Sequence, residues 1–282
     1  MLLKRNSLLA FELVTFSHTL FVLPLIFSGY MITYDRIIVK DIVLILIAAI
    51  SARTIGMLLN RIIDAEIDQK NPRTATRPIP SGRASKRFLF LFLLLSSLIF
   101  FLTCSFICDF VFFLSPIPII LFAMYPYTKR FTPFCHFFLG ATLFLGPIAG
   151  GVAASCNIDG FYLTLPIGIF TFFWISGFDI LYALQDYNHD INNGIFSLPS
   201  IYGTKNAIIT SSLCFILSIV SLVYYTVLYK SNFLSFFIIL LIALNFSFQI
   251  INSSRSNYSF FRYNSYVGLL ILILIISDIL LI

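Results

Sequence analysis

Asn60, Asp64 and Asp68 follow one another at four-residue intervals in the stretch Asn-Arg-Ile-Ile-Asp-Ala-Glu-Ile-Asp, residues 60–68. That spacing puts three oxygen-bearing side chains on one face of a helix. Arg53 lies seven residues before Asn60, on nearly the same stripe. A charge at mid-bilayer costs roughly 2.5–3.5 kcal/mol on insertion scales, so Arg53 is expected to face an interior cavity rather than lipid. A second stretch, residues 179–190, places Asp179, Tyr182 or Ala183, Asp186 and Asp190 on one helical face. Two facing carboxylate columns repel unless a cation sits between them, and hard oxygen donors without a His or Cys cluster favour Mg²⁺ over zinc. Mg²⁺ usually takes a few carboxylates together with substrate phosphates, so the pattern suits a diphosphate better than a structural ion. The basic residues around the motifs fit the same anion. Lys70, Arg73 and Arg77 follow the first column directly, and Lys129-Arg130 close an apolar run, where they are placed to clamp phosphate oxygens.

The elements that carry these residues belong to a membrane protein. Of 282 residues, 59% are hydrophobic and 11% charged, against roughly 25% charged in a soluble domain. Apolar runs long enough to cross ~30 Å of hydrocarbon recur along the chain, with spans expected near 13–33, 40–60, 88–108, 110–126, 135–154, 161–180, 206–228, 233–252 and 264–282. The third and fourth are separated only by Cys108 and Asp109, so the expected count is nine, or eight if these two merge. The first run follows Lys4 and Arg5 but is too long for the apolar region of a signal peptide and is read as a retained span. With nine spans, thirteen lysines and arginines, among them Lys4, Arg5, Lys205, Arg255 and Arg262, share the side of the N-terminus, against Arg36, Lys40 and Lys230 on the other. That asymmetry sets the N-terminus and both acidic segments in the cytoplasm, so the two motifs are expected to meet in space. Four spans separate the two motifs, which hints at an internal duplication.

Several residues have plainer readings. The run from Lys70 to Arg87 taken alone is a positive-inside signal, and Arg83, Lys86 and Arg87 are assigned only that role. Glu12 and His18 are read either as a buried pair or as part of a cavity wall. His136 and His189 are read as surface residues, and Arg61 and Glu66 lie off the main stripe. The five cysteines lack the close pairing of a zinc site and are read as reduced, small core residues. The net charge of +6 is spread over loops, not gathered into a patch interleaved with stacking aromatics, so nucleic acid is not expected as a partner.

The two acidic stretches resemble the motifs Asn-x-x-x-Asp-x-x-x-Asp and Asp-x-x-Tyr-x-x-x-Asp-x-x-x-Asp of the UbiA-type superfamily of intramembrane prenyltransferases, and both patterns are met in full. Asn71-Pro72-Arg73-Thr74-Ala75 and Arg77-Pro78-Ile79-Pro80-Ser81-Gly82 are similar to the loop of its 4-hydroxybenzoate branch, as is the stretch from Gly177 to Asp186. Smaller echoes are Ser17 to Phe21 with Pro24, Tyr125-Pro126 before Lys129-Arg130, and Asn264. The resemblance implies an all-α, polytopic membrane helical bundle, with about nine transmembrane helices around a central cavity and residues 1–282 forming a single integral membrane prenyltransferase domain. It implies that Asn60, Asp64, Asp68, Asp186 and Asp190 hold Mg²⁺ against a polyprenyl diphosphate, and that Arg73, Arg77, Lys129 and Arg130 neutralise its remaining charge. Tyr125 and Tyr182 would shelter the allylic cation. Asp179 would orient the acceptor's hydroxyl or take its ring proton, and Arg53 would bind the carboxylate of a small aromatic acid. The implied setting is the lipid bilayer of a bacterial inner membrane, with no obligate protein partner evident. The expected reaction is prenylation of a 4-hydroxybenzoate-type acid in ubiquinone biosynthesis. The alternatives are 1,4-dihydroxy-6-naphthoate in the futalosine route of menaquinone biosynthesis and, from another class, a transporter with an acidic ion path. A transporter carries polar groups near mid-bilayer and paired broken helices, whereas these acids cluster at one membrane face.

Overall fold

A computed structural model describes residues 9, 12, 13, 16–33, 37–229, 231–253 and 260–281, without the side chains of 16–21 and 260–262. Lys4, Arg5, Arg36, Lys230, Arg255 and the His18 and Arg262 side chains, used above for topology or pairing, therefore lie outside the described residues. Among those residues the chain is all helical. Eight helices are long and apolar enough to cross a membrane, and the shorter apolar stretch Val22–Thr33 occupies the place of the first expected span.

The chain forms two compact units, one of Met1–Leu20 with Val39–Tyr127 and the other of Phe21–Ile38 with Thr128–Ile282. Helix α1 (Phe16–Thr33) belongs to the second unit from Phe21 on, and in the first unit α2 (Val39–Ile63) passes into the short α3 (Ala65–Lys70). A long loop then leads to α4 (Lys86–Ile107), whose N-cap Ser85 accepts a hydrogen bond from the Phe88 N–H. The doubtful boundary between the third and fourth spans is a true break. Cys108 is extended (φ −173°, ψ 165°), and the chain restarts as α5 (Asp109–Leu114) and α6 (Pro116–Thr128). One extended residue suffices because Cys108 ends one helix and begins the next. Phe90, Leu94, Leu98 and Leu102 are exposed along one stripe of α4, which water would penalise and lipid accepts.

The second unit holds α7 (Cys135–Ser155), α8 (Asp159–Ala183), a 3₁₀ turn (Leu184–Asp186), α9 (Tyr187–Asn193), α10 (Leu198–Leu228), α11 (Phe233–Ile251) and α12 (Phe260–Leu281). Its core gathers Ile167, Phe170 and Trp174 of α8 with Phe215 and Leu222 of α10, Ile242 and Phe246 of α11, and Ile271 and Leu274 of α12. Phe215 and Phe246 stack at 4.3 Å, 9° from parallel. Asn264 accepts a 2.6 Å bond from the Trp174 indole and donates to Gln249, so the polar groups of this core answer one another. Cys104, Cys135 and Cys214 are buried free thiols. Cys108 and Cys156 are not free thiols, a correction to the reading of five reduced cysteines. Both stand at helix ends and not on packed apolar faces.

Helix α7 approaches α1 through glycines. A Cβ on Gly29 would strike the Pro147 carbonyl, and one on Gly150 would strike the Ile26 carbonyl and crowd the Tyr30 N. Small residues permit such backbone contact between membrane helices. Gly150→Ala is therefore expected to cost about 3 kcal/mol or more, because the obstacle is backbone and cannot rotate away. The measurement is the thermal midpoint in detergent, with Gly82→Ala as the comparison. Gly82 has open space around it but a left-handed backbone (φ 71°), so its substitution should cost only about 1 kcal/mol.

Candidate active site

The two acidic motifs, one in each unit, share one local construction. In the first, α2 runs to Ile63 and Asp64 interrupts it (φ −89°, ψ 3°) before α3 begins. The four-residue register survives the break, since the Asp64 N–H bonds the Asn60 carbonyl at 2.9 Å and the Asp68 N–H bonds the Asp64 carbonyl at 2.8 Å. The Asn60 amide donates to Asp64 Oδ2 at 3.0 Å. Asp64 and Asp68 are buried, with 3% and 6% of their surfaces exposed. Arg77 Nη1 donates to both Asp68 carboxylate oxygens at 2.8 Å, and Arg61 Nη1 lies 3.8 Å from Asp68 Oδ2. Asp68 thus has two guanidiniums within ion-pair distance, and Arg77, expected as a phosphate clamp, is committed to a carboxylate.

The loop after α3 is tied down along its length. Asn71 Oδ1 accepts the Arg73 backbone N–H, and the Thr74 hydroxyl donates to the Asp68 carbonyl, an Asx-type turn that leaves the Arg73 side chain exposed. Arg83, assigned only a topological role from sequence, forms a two-pronged pair with Glu12 at 2.6 and 2.8 Å and also donates to the Thr76 carbonyl and the Ser81 hydroxyl. The hydrogen bonds to Glu12 raise the Arg83 guanidinium above its ordinary pKa. Glu12 therefore pairs with Arg83, while its expected pairing with His18 lies outside the described residues. Arg53 is partly buried in α2, within electrostatic reach of Tyr125 and Arg61.

In the second unit the expected continuous column is broken. Helix α8 ends at Ala183, a 3₁₀ turn covers Leu184–Asp186, and Asp186 (φ −101°, ψ 6°) starts α9. Asp186 thus holds the position in its motif that Asp64 holds in the first, at a helix break. Asp190, like Asp68, lies four residues on, buried at 7% exposure. Ser197 Oγ donates to Asp190 Oδ2 at 2.9 Å while also capping α10 in a reciprocal box with Ser200. Gly194, left-handed at φ 64°, ends α9 and turns the chain back. The Phe196 N–H bonds the Lys129 carbonyl at 2.8 Å, which fixes the backbone beside Lys129, and Arg130 is exposed. Tyr182 is partly buried, its ring 6.1 Å from that of Phe178.

His136 overturns its reading as a surface residue. It is 2% exposed, with Nδ1 at 2.7 Å from Asp179 Oδ2 and Nε2 accepting the Leu198 N–H at 3.3 Å. His189 is also largely buried, its Nδ1 at 3.5 Å from Asp190 Oδ1. A signal existed for His136, since a histidine near the start of an apolar span needs a polar partner. Nothing in the sequence named Asp179, 43 residues away, as that partner.

All the expected metal donors are carboxylates or an amide oxygen, the hard type that Mg²⁺ accepts. Among the described residues no group of three or more His, Cys, Asp or Glu is gathered as a metal site. The donor chemistry fits Mg²⁺, with Asn60 and Asp64 as the best-placed pair of the first motif, since Asp68 is already ion-paired.

An all-α polytopic membrane protein with paired acidic helix breaks defines the class. The chain belongs to the UbiA prenyltransferase family, which matches residues 21–266. It is 29% identical over 175 residues to a 4-hydroxybenzoate octaprenyltransferase of Legionella pneumophila (strain Paris), covering 61% of this chain and 60% of that one. It is 32% identical over 170 residues to a mitochondrial 4-hydroxybenzoate polyprenyltransferase of Dictyostelium discoideum, covering 58% of this chain and 36% of that one. These matches thus span less than two thirds of the relatives' own length. A UbiA homolog from Aeropyrum pernix K1, solved in its apo form, is 27% identical and superposes with a TM-score of 0.85 over 93% of this chain and 98% of that one. A UbiA homolog from Archaeoglobus fulgidus, solved bound to GPP and Mg²⁺, shares the fold at 17% identity, with a TM-score of 0.73 over 96% of this chain and 98% of that one.

Proposed function

We propose that this chain transfers a polyprenyl group from an isoprenoid diphosphate to the ring of a small aromatic acid of the 4-hydroxybenzoate type, in quinone biosynthesis. One observation carries the reading. Asp64 and Asp186 each stand at a helix break, and each is followed four residues on by a buried aspartate, Asp68 or Asp190, so the two acidic motifs repeat one construction. Family membership and the 4-hydroxybenzoate relatives support the same reading.

In the proposed reaction Asn60, Asp64, Asp68, Asp186 and Asp190 supply oxygen donors on the metal and diphosphate side. Mg²⁺, when bound, adds positive charge against the leaving diphosphate. Arg73, Lys129 and Arg130 neutralise the remaining phosphate charge, and Arg77 acts by holding Asp68. The allylic C–O bond breaks with its electron pair going to the diphosphate. The faces of Tyr125 and Tyr182 stabilise the allylic cation by ~0.5–2 kcal/mol each. The electron-rich ring forms the new C–C bond and loses a proton, for which Asp179 is the assigned acceptor, while Arg53 pairs with the acceptor's carboxylate. The proposed setting is a bacterial inner membrane with the N-terminus and both acidic loops cytoplasmic.

The test is prenyl transfer in detergent with radiolabelled polyprenyl diphosphate, with and without Mg²⁺, offering 4-hydroxybenzoate or 1,4-dihydroxy-6-naphthoate. Mg²⁺-dependent product from 4-hydroxybenzoate is expected. Product from the naphthoate alone would move the chain to the other quinone route. No product from either acceptor, in protein with an intact thermal transition, would overturn the reading and bring transport forward.

A further inference from the structure

The His136 imidazole joins two parts of the second motif that the chain itself separates. Leu198 is the first residue of α10, and its backbone N–H can only donate, so His136 Nε2, at 3.3 Å, must carry the lone pair. The ring proton therefore resides on Nδ1, which donates to Asp179 Oδ2 at 2.7 Å. This assigns a neutral ring of one tautomer from the chemistry of its two partners. The residue before Leu198 is Ser197, whose hydroxyl holds Asp190 Oδ2 at 2.9 Å. One buried imidazole thus bonds Asp179 directly and the first backbone N–H of α10.

We infer that His136 is a positioning residue for Asp179, fixing the rotamer of that carboxylate while leaving its negative charge uncancelled. The inference rests on the proposed aromatic prenyl transfer, in which Asp179 meets the acceptor's hydroxyl or ring proton. An aspartate at the end of an apolar helix has several staggered rotamers, and a reacting base must be held within hydrogen-bond reach of its proton. A cationic partner would orient Asp179 but lower its basicity. A neutral imidazole N–H orients it and preserves more of that basicity.

The experiment is a double-mutant cycle with an independent spectroscopic arm. His136→Ala is expected to lower kcat about 10- to 100-fold, the range set by losing a hydrogen bond to a charged group, with the KM for the prenyl diphosphate unchanged. His136→Asn, whose amide N–H stands near the place of Nδ1–H, should recover most of that loss. His136→Ala/Asp179→Asn should be no slower than Asp179→Asn alone, because a residue acting through Asp179 has nothing left to position. Unchanged kcat in His136→Ala, or losses that multiply in the double variant, would overturn the inference. The chain has three histidines, so ¹⁵N-histidine labelling resolves the ring directly and does not depend on turnover. A protonated Nδ1 and unprotonated Nε2 are expected, with the Nδ1–H signal moved by Asp179→Asn. An Nε2–H tautomer, or a spectrum indifferent to Asp179→Asn, refutes the pairing. If the wild type prenylates no aromatic acid, the reaction reading fails and this spectrum alone judges the pairing.

Discussion

Asp64→Ala should leave a protein that folds and does not turn over. Asp64 occupies the break between α2 and α3, and its side chain makes no capping bond to the helix it starts. The Asn60 amide, four residues back, donates to the Asp64 carboxylate at 3.0 Å. Removing the carboxylate leaves the backbone bond from the Asp68 N–H to the Asp64 carbonyl in place, so the helix junction is expected to hold. Catalysis that depends on concentrating charge against a leaving diphosphate loses one of its few anionic donors. The expected fall in kcat/KM is at least about 100-fold, as for loss of a single preorganised electrostatic group. Asp64→Asn should fall nearly as far, because an amide keeps the oxygen but loses the charge that attracts Mg²⁺. The measurement is Mg²⁺-dependent prenyl transfer beside the thermal midpoint of the same preparation. Turnover close to the wild type would remove the first motif from the reaction. A collapsed thermal transition would show instead that Asp64 is structural.

The spans and the acidic motifs were legible because each rests on a local rule. Hydropathy over about twenty residues sets a membrane helix, and four-residue spacing sets a helical face, so α2, α4, α7, α8, α10, α11 and α12 fall close to their expected places. The expected spans already part at Cys108 and Asp109, where the structure breaks, but that one extended residue makes the break was not legible, since no proline or glycine marks it. The 3₁₀ turn at Leu184–Asp186 was hidden for a similar reason, as Leu-Gln-Asp suits a helix as well as a break. The partners of the polar groups were the least visible. Arg77 could be read as a phosphate clamp because a guanidinium suits phosphate and carboxylate equally, and only folding of the loop decides for Asp68. Glu12 and Arg83 lie 71 residues apart, and periodicity carries no information at such separations. The same holds for His136 with Asp179, and for Ser197, whose capping role is readable from its place before Leu198-Pro199 but whose bond to Asp190 is not.

Arg77→Ala is expected to destabilise the first unit through the carboxylate it leaves behind. Asp68 is 8% exposed at its side chain, and Arg77 Nη1 meets it at 2.8 Å. Breaking a buried pair from one side generally costs about 3–5 kcal/mol, because the other charge remains desolvated. Two features lower the figure here. The Arg77 side chain is 28% exposed, and Arg61 stays at 3.8 Å to offset part of the Asp68 charge. A loss of about 2 kcal/mol is the expected result, read as a lowered thermal midpoint in detergent. Removing both charges together, in Asp68→Asn/Arg77→Gln, should return part of the stability, since the amide pair strands no carboxylate, although Arg61 then loses the Asp68 charge at 3.8 Å. It should not return prenyl transfer, because the motif has then lost an anionic donor. A double variant as unstable as Arg77→Ala would show that the arginine acts by packing the loop and not by balancing charge. Recovery of turnover in the double variant would show that Asp68 is an anchor for the 71–85 loop and leave Asp64 as the acidic donor of the first motif.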